Sequence, residues 1–282
     1  MINDFKIVAD SSADLYVLDG IAFGSAPLKI CRKDKEYIDD ENLDVEGMVN
    51  ELLEYQDKVT TACPAIGDWL NAFGDSKYIV AFAISAKMSG SYNSLLNAKA
   101  QYEEEYPDRK VLCINSKNAG PGMRMLVMKA KELIENGHDL DYIEEYMNHY
   151  INENGLLFML ESLHNFANNG RVNPLVAKAV GLLGIKVIGE RGDEGTLEII
   201  EKKRGEKKAV STIAKLLPKK GCTGKKFIIG HVMNEKLAND YKEAIQEEYP
   251  DAEFTIYQMN GLCSFYAEKG GVLVAFEREY NN

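Results

Sequence analysis

The stretch Tyr78-Ile79-Val80-Ala81-Phe82-Ala83-Ile84, followed by Ser85-Ala86-Lys87-Met88-Ser89-Gly90-Ser91-Tyr92, decides the fold class. An unbroken apolar run of this length, without polar alternation, describes a strand buried on both faces, as in a parallel sheet covered by helices. Similar runs occur at residues 5–9 (FKIVA), ending in Asp10-Ser11-Ser12, and at residues 111–114 (VLCI), ending in Asn115-Ser116. Helical patterns lie between them. In residues 121–136, Met123, Leu126, Val127, Ala130, Leu133 and Ile134 form one stripe of a helix, with Pro121 suited to its first turn and Gly137 to its C-terminal cap. Residues 21–38 read as an extended pair of strands turning at Arg32-Lys33-Asp34-Lys35. This β-α-β-α order predicts an α/β protein whose N-terminal half is a Rossmann-like parallel sheet.

After Gly155 the pattern changes. Residues 156–160 (LLFML) form a strand and 174–183 a short apolar helix; 185–189 and 197–202 flank Arg191-Gly192-Asp193-Glu194-Gly195 as an antiparallel hairpin. Helix patterns at 206–217 and 235–248 are separated by a strand at 227–229, and strands at 254–257 and 272–276 follow. The C-terminal half therefore predicts a mixed-sheet α/β domain. With 282 residues against a usual domain of roughly 100–200, the expected division is 1–154 and 155–282, with residues 59–75 free to pack on the second domain.

Lys+Arg 33 against Asp+Glu 44 gives a net charge of −11, which repels polyphosphate and argues against a nucleic-acid partner. The charge is uneven: residues 171–226 hold 14 Lys/Arg and 6 Asp/Glu, a net of +8, leaving −19 for the rest. Such a segment is either a solvated face or a docking surface for an acidic partner or an anionic membrane. The opening MINDFKIVAD lacks the features of a signal peptide, and no apolar stretch approaches the roughly 20 residues of a membrane span. Cys31, Cys63, Cys113, Cys222 and Cys263 are scattered without a C-x-x-C, as expected in a reducing cytoplasm and not in a zinc ribbon.

In open α/β sheets, ligands bind beyond the carboxyl ends of strands, where helix N-termini present unpaired N–H groups. The loop containing Ser89, Gly90 and Ser91 suits a carboxylate or phosphate there, although helix capping alone also accounts for its serines. Thr60-Thr61-Ala62-Cys63-Pro64 is a second polar cluster, offering two hydroxyls and a thiol, or simply a turn. Enzyme signatures are mostly missing. Gly221-Cys222-Thr223-Gly224-Lys225-Lys226 has the wrong spacing for a P-loop, and Met125 breaks the dinucleotide pattern begun by Gly120-Pro121-Gly122. His138, His149, His164 and His231 are dispersed, and no metal-ligand motif occurs. The residues describe an anion pocket with no catalytic group, metal or cofactor evident.

Taken in order, Ile7-Val8-Ala9-Asp10-Ser11-Ser12-Ala13-Asp14-Leu15, Thr61-Ala62-Cys63-Pro64-Ala65, the segment from Ile84 to Ser94, Asn115-Ser116-Lys117, Gly170-Arg171-Val172 and the glycine-containing stretch 261–276 resemble the DegV family of bacterial proteins over essentially the whole chain. The resemblance implies two α/β domains enclosing one long-chain fatty acid, which is presented to a separate fatty acid kinase that phosphorylates its carboxylate for phospholipid synthesis. It places Ser89 and Thr61 on the carboxylate, with Thr60 as a register alternative and Gly90, Ser91 and Cys263 alongside. Burial of the chain, at about 0.8 kcal/mol per methylene, would supply most of the affinity, and the hydroxyls its orientation.

The family's T-S-Q-P-S segment is here Thr61-Ala62-Cys63-Pro64-Ala65. Cys263 stands where the family carries the histidine of H-x-G-P-G, and Phe265 and Tyr266 add bulk after it. Cys63 and Cys263 would then both flank the headgroup as a thiol pair. Arg171 matches the family's G-R arginine, and with Lys202, Lys203 and Arg204 it is expected to dock the kinase or an anionic membrane. The rival expectation is an enzyme acting on a small carboxylate or phosphate compound with Cys63 or Cys263 as nucleophile.

Overall fold

The computed structural model describes residues 4–175 and 184–279, so most of the helix expected at 174–183 lies outside the described residues. The first half runs β1 (Phe5–Asp10), β2 (Ala22–Ala26), β3 (Lys29–Cys31), β4 (Glu36–Ile38), α1 (Val45–Glu54), β5 (Thr60–Ala62), α2 (Ile66–Phe73), β6 (Tyr78–Ala83), α3 (Ser91–Glu105), β7 (Lys110–Asn115), α4 (Pro121–Glu135) and α5 (Leu140–Tyr150). The all-parallel sheet has the order β2-β1-β6-β7. Its apolar runs are covered on one side by Trp69, Phe73, Leu95 and Tyr102 of α2 and α3, and on the other by α4 and α5.

The second half runs β8 (Asn154–Leu160), α6 (His164–Asn168), β9 (Ile185–Arg191), β10 (Leu197–Arg204), α7 (Glu206–Lys219), β11 (Cys222–His231), α8 (Glu235–Glu248), β12 (Glu253–Gln258), α9 (Gly261–Ala267) and β13 (Val272–Arg278). Its six-stranded sheet, β10-β9-β8-β13-β11-β12, is antiparallel except where β12 pairs parallel with β11. Helices α7 and α8 cover one face through Ile213, Leu217, Tyr241 and Ile245. On the other face lies α4, whose Met125 packs against Leu156, Ile228 and Ala275. That helix is thus clamped between the two sheets, which explains why it is apolar beyond a single stripe.

Residues 21–38 do not form one pair of strands. Pro27, which has no N–H to continue a ladder, separates β2 in the parallel sheet from β3. Strands β4, β3 and β5 make a separate three-stranded antiparallel sheet. Its Ile30 and Tyr37, together with Met48, Val49 and Val59, pack with Phe158, Leu160, Val187 and Phe265 of the second half. Helix α2 returns to the parallel sheet. The lysine-containing stretch 221–226 runs into β11, so it is extended backbone and wraps no phosphate. The hairpin turn at 191–195 forms as expected, closed by the Gly192 N–H donating to the Thr196 carbonyl at 2.8 Å.

Candidate functional site

The strand ends of the parallel sheet, the tip of the β9–β10 hairpin and α9 enclose a cavity of about 380 Å3, within the roughly 300–1,000 Å3 of small-molecule pockets. Leu28, Ile84, Leu156, Phe158, Leu160 and Leu273 supply apolar wall. Thr61, Cys63, Ser89, Gly90, Arg171 and Tyr266 also line it. Met88, Ser89, Gly90 and Arg171 continue into an adjoining outer groove, so this group marks the mouth. The rest of the chain builds that mouth through buried carboxylates.

Asp10, at the end of β1, receives the Ile84 N–H at 2.9 Å and the Ser91 hydroxyl at 2.6 Å, tying β1 to the loop after β6. Burial raises its pKa to about 6 against the lowering effect of these hydrogen bonds. Asp14 receives the Tyr257 hydroxyl at 2.9 Å and the Asn260 N–H at 3.0 Å, and burial together with Asp39 pushes its pKa up to about 7. Asp39 accepts the N–H groups of Gly261 and Leu262 at 2.7 and 3.0 Å, which fixes the start of α9; burial raises its pKa as well. Asp10 and Asp14 are the two ends of the Asp10-Ser11-Ser12-Ala13-Asp14 motif, so this motif serves as scaffold. A carboxylate directly after an apolar strand was its signal in the sequence.

Of the expected ligand residues, Thr61, Ser89, Gly90 and Cys263 line the cavity. Thr60 does not. It precedes Thr61 in β5 and is exposed on the opposite face, as strand alternation requires. Ser91 requires a correction: it is fully buried inside the first turn of α3, its hydroxyl is taken by Asp10, and it does not line the cavity. The N-cap of α3 is Gly90, which has no side chain to offer, and the Ser89 hydroxyl one residue earlier accepts the first helical N–H, that of Ser91, at 3.2 Å.

The Cys263 thiol points to the Ser12 carbonyl at 3.6 Å, and burial, followed by the Asp14 charge, holds its pKa well above the ordinary thiol value. Cys63 is exposed, near Gly90, and both cysteines are free. Arg171 is exposed at the mouth, donating from Nε to the Met88 carbonyl at 3.0 Å. Lys202, Lys203 and Arg204 lie elsewhere, at the far end of the edge strand β10, whose first residue Leu197 lines the cavity. Lys202 is in register with Val187 and, through it, with Leu160 of the cavity wall, two strand spacings or roughly 10 Å away. Lys203 pairs with Glu201. Tyr266, which the sequence presents only as added bulk, places its hydroxyl 2.8 Å from Thr61 Oγ1.

No histidine stands in the lining, and among the described residues no group of three or more His, Cys, Asp or Glu side chains could hold a metal. Among the same residues, no helix is long and apolar enough to cross a membrane.

The profile described as "Uncharacterised protein, DegV family" matches residues 4–279. The chain belongs to the DegV family. A DegV domain-containing protein of Streptococcus pneumoniae strain R6 is 37% identical over 277 residues, covering 97% of this chain and 99% of the relative. The structure of a DegV family protein from Eubacterium eligens loaded with heptadecanoic acid superimposes with a TM-score of 0.95 at 41% identity, covering 98% of this chain and 100% of that one. The Streptococcus pneumoniae Fatty Acid Kinase (Fak) B3 protein loaded with linoleic acid also gives 0.95, at 36% identity, covering 98% and 99%. The DegV fold thus accounts for the parallel sheet and the mixed sheet.

Proposed function

We propose that this DegV protein is a carrier that buries one long-chain fatty acid in the cavity, with its carboxylate at Thr61 and Ser89, and presents it to a separate fatty acid kinase. The observation that carries this reading is a largely apolar cavity whose lining includes the hydroxyls of Thr61 and Ser89 and the Arg171 guanidinium. The relatives loaded with heptadecanoic and linoleic acids support the ligand class, and the Fak B3 name supports the kinase. A carboxylate taken from water must keep its hydrogen bonds, and two hydroxyl donors with a nearby guanidinium meet that need.

The nucleophile reading gains little support from the chemistry. A catalytic thiol works as thiolate, and the buried Cys263 is held protonated next to Asp14. Cys63 has no histidine in the cavity lining to serve as its base.

Docking of the kinase, or of an anionic membrane surface, falls to Arg171 and to the basic end of β10. Extraction and mass spectrometry of the purified protein test the carrier role. One acyl chain per molecule is expected, and a protein that contains none and binds none in titration would end this reading.

A further inference from the structure

Tyr266 stands on α9, whose first N–H groups are fixed by Asp39, and its ring forms part of the cavity wall. The ring is held on two sides, 4.8 Å from Phe166 and edge-on to Phe265 at 4.9 Å. Its hydroxyl meets Thr61 Oγ1 at 2.8 Å, and both residues line the cavity. Two hydroxyls in contact share one hydrogen between them and leave the second for another acceptor.

We infer that Tyr266 is a positioning residue for the carboxylate: its phenol donates to Thr61 Oγ1 and so directs the Thr61 hydrogen at the bound acid. The inference rests on the fatty-acid reading above. A hydroxyl that receives a hydrogen bond becomes a better donor, so the pair binds an anion more strongly than a lone threonine. Burial keeps the Tyr266 phenol protonated, so the donor persists at neutral and mildly alkaline pH. The fixed ring also means that little side-chain freedom is lost when the acid binds. A chain lacking the phenol would still bury the acyl tail and would lose only the preference for its charged end.

The test compares palmitic acid with methyl palmitate on the wild type, Tyr266→Phe, Thr61→Ala and the double variant, by titration calorimetry. Tyr266→Phe keeps the ring, so affinity for the ester is expected to be unchanged while affinity for the acid falls about tenfold. The double variant should lose no more than Thr61→Ala alone, because the tyrosine acts through the threonine. Unchanged acid binding in Tyr266→Phe, or an equal loss for acid and ester, would overturn the positioning role. So would fully additive losses in the double variant. A wild type that binds neither ligand would instead remove the carrier reading, and this inference with it.

Discussion

Replacing Gly195 with alanine should unlatch the cavity. Gly195 lies at the tip of the β9–β10 hairpin with φ +80°, and its carbonyl accepts the Ser85 hydroxyl at 2.7 Å. A methyl group there would stand 2.4 Å from Ser85 Oγ, 2.8 Å from Lys117 Cα and 2.9 Å from the Lys117 carbonyl oxygen. The serine can rotate away, but the Lys117 backbone cannot. Left-handed geometry costs alanine about 1–2 kcal/mol, and the lost hydrogen bond adds about 1 kcal/mol. The tip relieves this strain by lifting off, which also releases Lys117 Nζ from the Asp193 carbonyl. A shift of about 2–3 kcal/mol towards the lifted state corresponds to roughly 30- to 150-fold. Stopped-flow release of a fluorescent fatty acid should accelerate by about that factor in Gly195→Ala. Ser85→Ala, which removes only the hydrogen bond, should accelerate it roughly fivefold. Wild-type release from Gly195→Ala, with an unchanged melting temperature, would refute the latch.

The buried carboxylates predict a pH dependence of stability. Asp14 binds its proton more tightly folded (pKa about 7) than unfolded (about 4), so its contribution is fully present below about pH 4 and is lost as pH rises through about 7. Asp10 adds the same sign up to about pH 6. Melting curves from pH 4.5 to 7.5 should therefore show the wild type losing stability relative to Asp14→Asn as pH rises; parallel profiles would contradict this. Arg204→Glu, exposed on the edge strand and outside the cavity lining, should weaken phosphorylation of the bound acid by the kinase while titrated fatty-acid affinity stays at the wild-type value, and unimpaired phosphorylation would remove that end of β10 from the docking surface. Gly155 pairs in register with Phe276, and a Cβ there would lie 2.4 Å from the ring, so Gly155→Ala should cost about 1–3 kcal/mol, read as a lower urea midpoint.

What could be read from the sequence followed from how burial acts on neighbouring residues. A strand covered on both faces must be apolar throughout, so residues 78–84 announced the parallel sheet, and the glycines at 192 and 195 announced the hairpin. Thr61 and Ser89 were legible as hydroxyls near strand ends. Ser91 was misplaced because a capping serine and a serine bonded to a distant carboxylate look alike in one dimension, and Asp10 is 81 positions away. Strands β3, β4 and β5 have three residues each, too few to establish a period. Tyr266 passed as bulk because its partner lies 205 positions away, and Asp39 was silent because it acts on backbone N–H groups 222 positions further on. Long-range polar contacts leave no local periodicity.

The crossing of residues 28–62 to the second half bears on how the protein is born. A ribosome delivers Ile30, Met48 and Val59 long before Phe158, Val187 and Phe265 emerge to cover them. Contacts so distant in sequence form late and slowly, and the early segment waits with its apolar face uncovered. Thr61 meets Tyr266 only when nearly the whole of the described chain has been made. The cavity is therefore complete only at the end of synthesis, when residues from both halves are present to wall it.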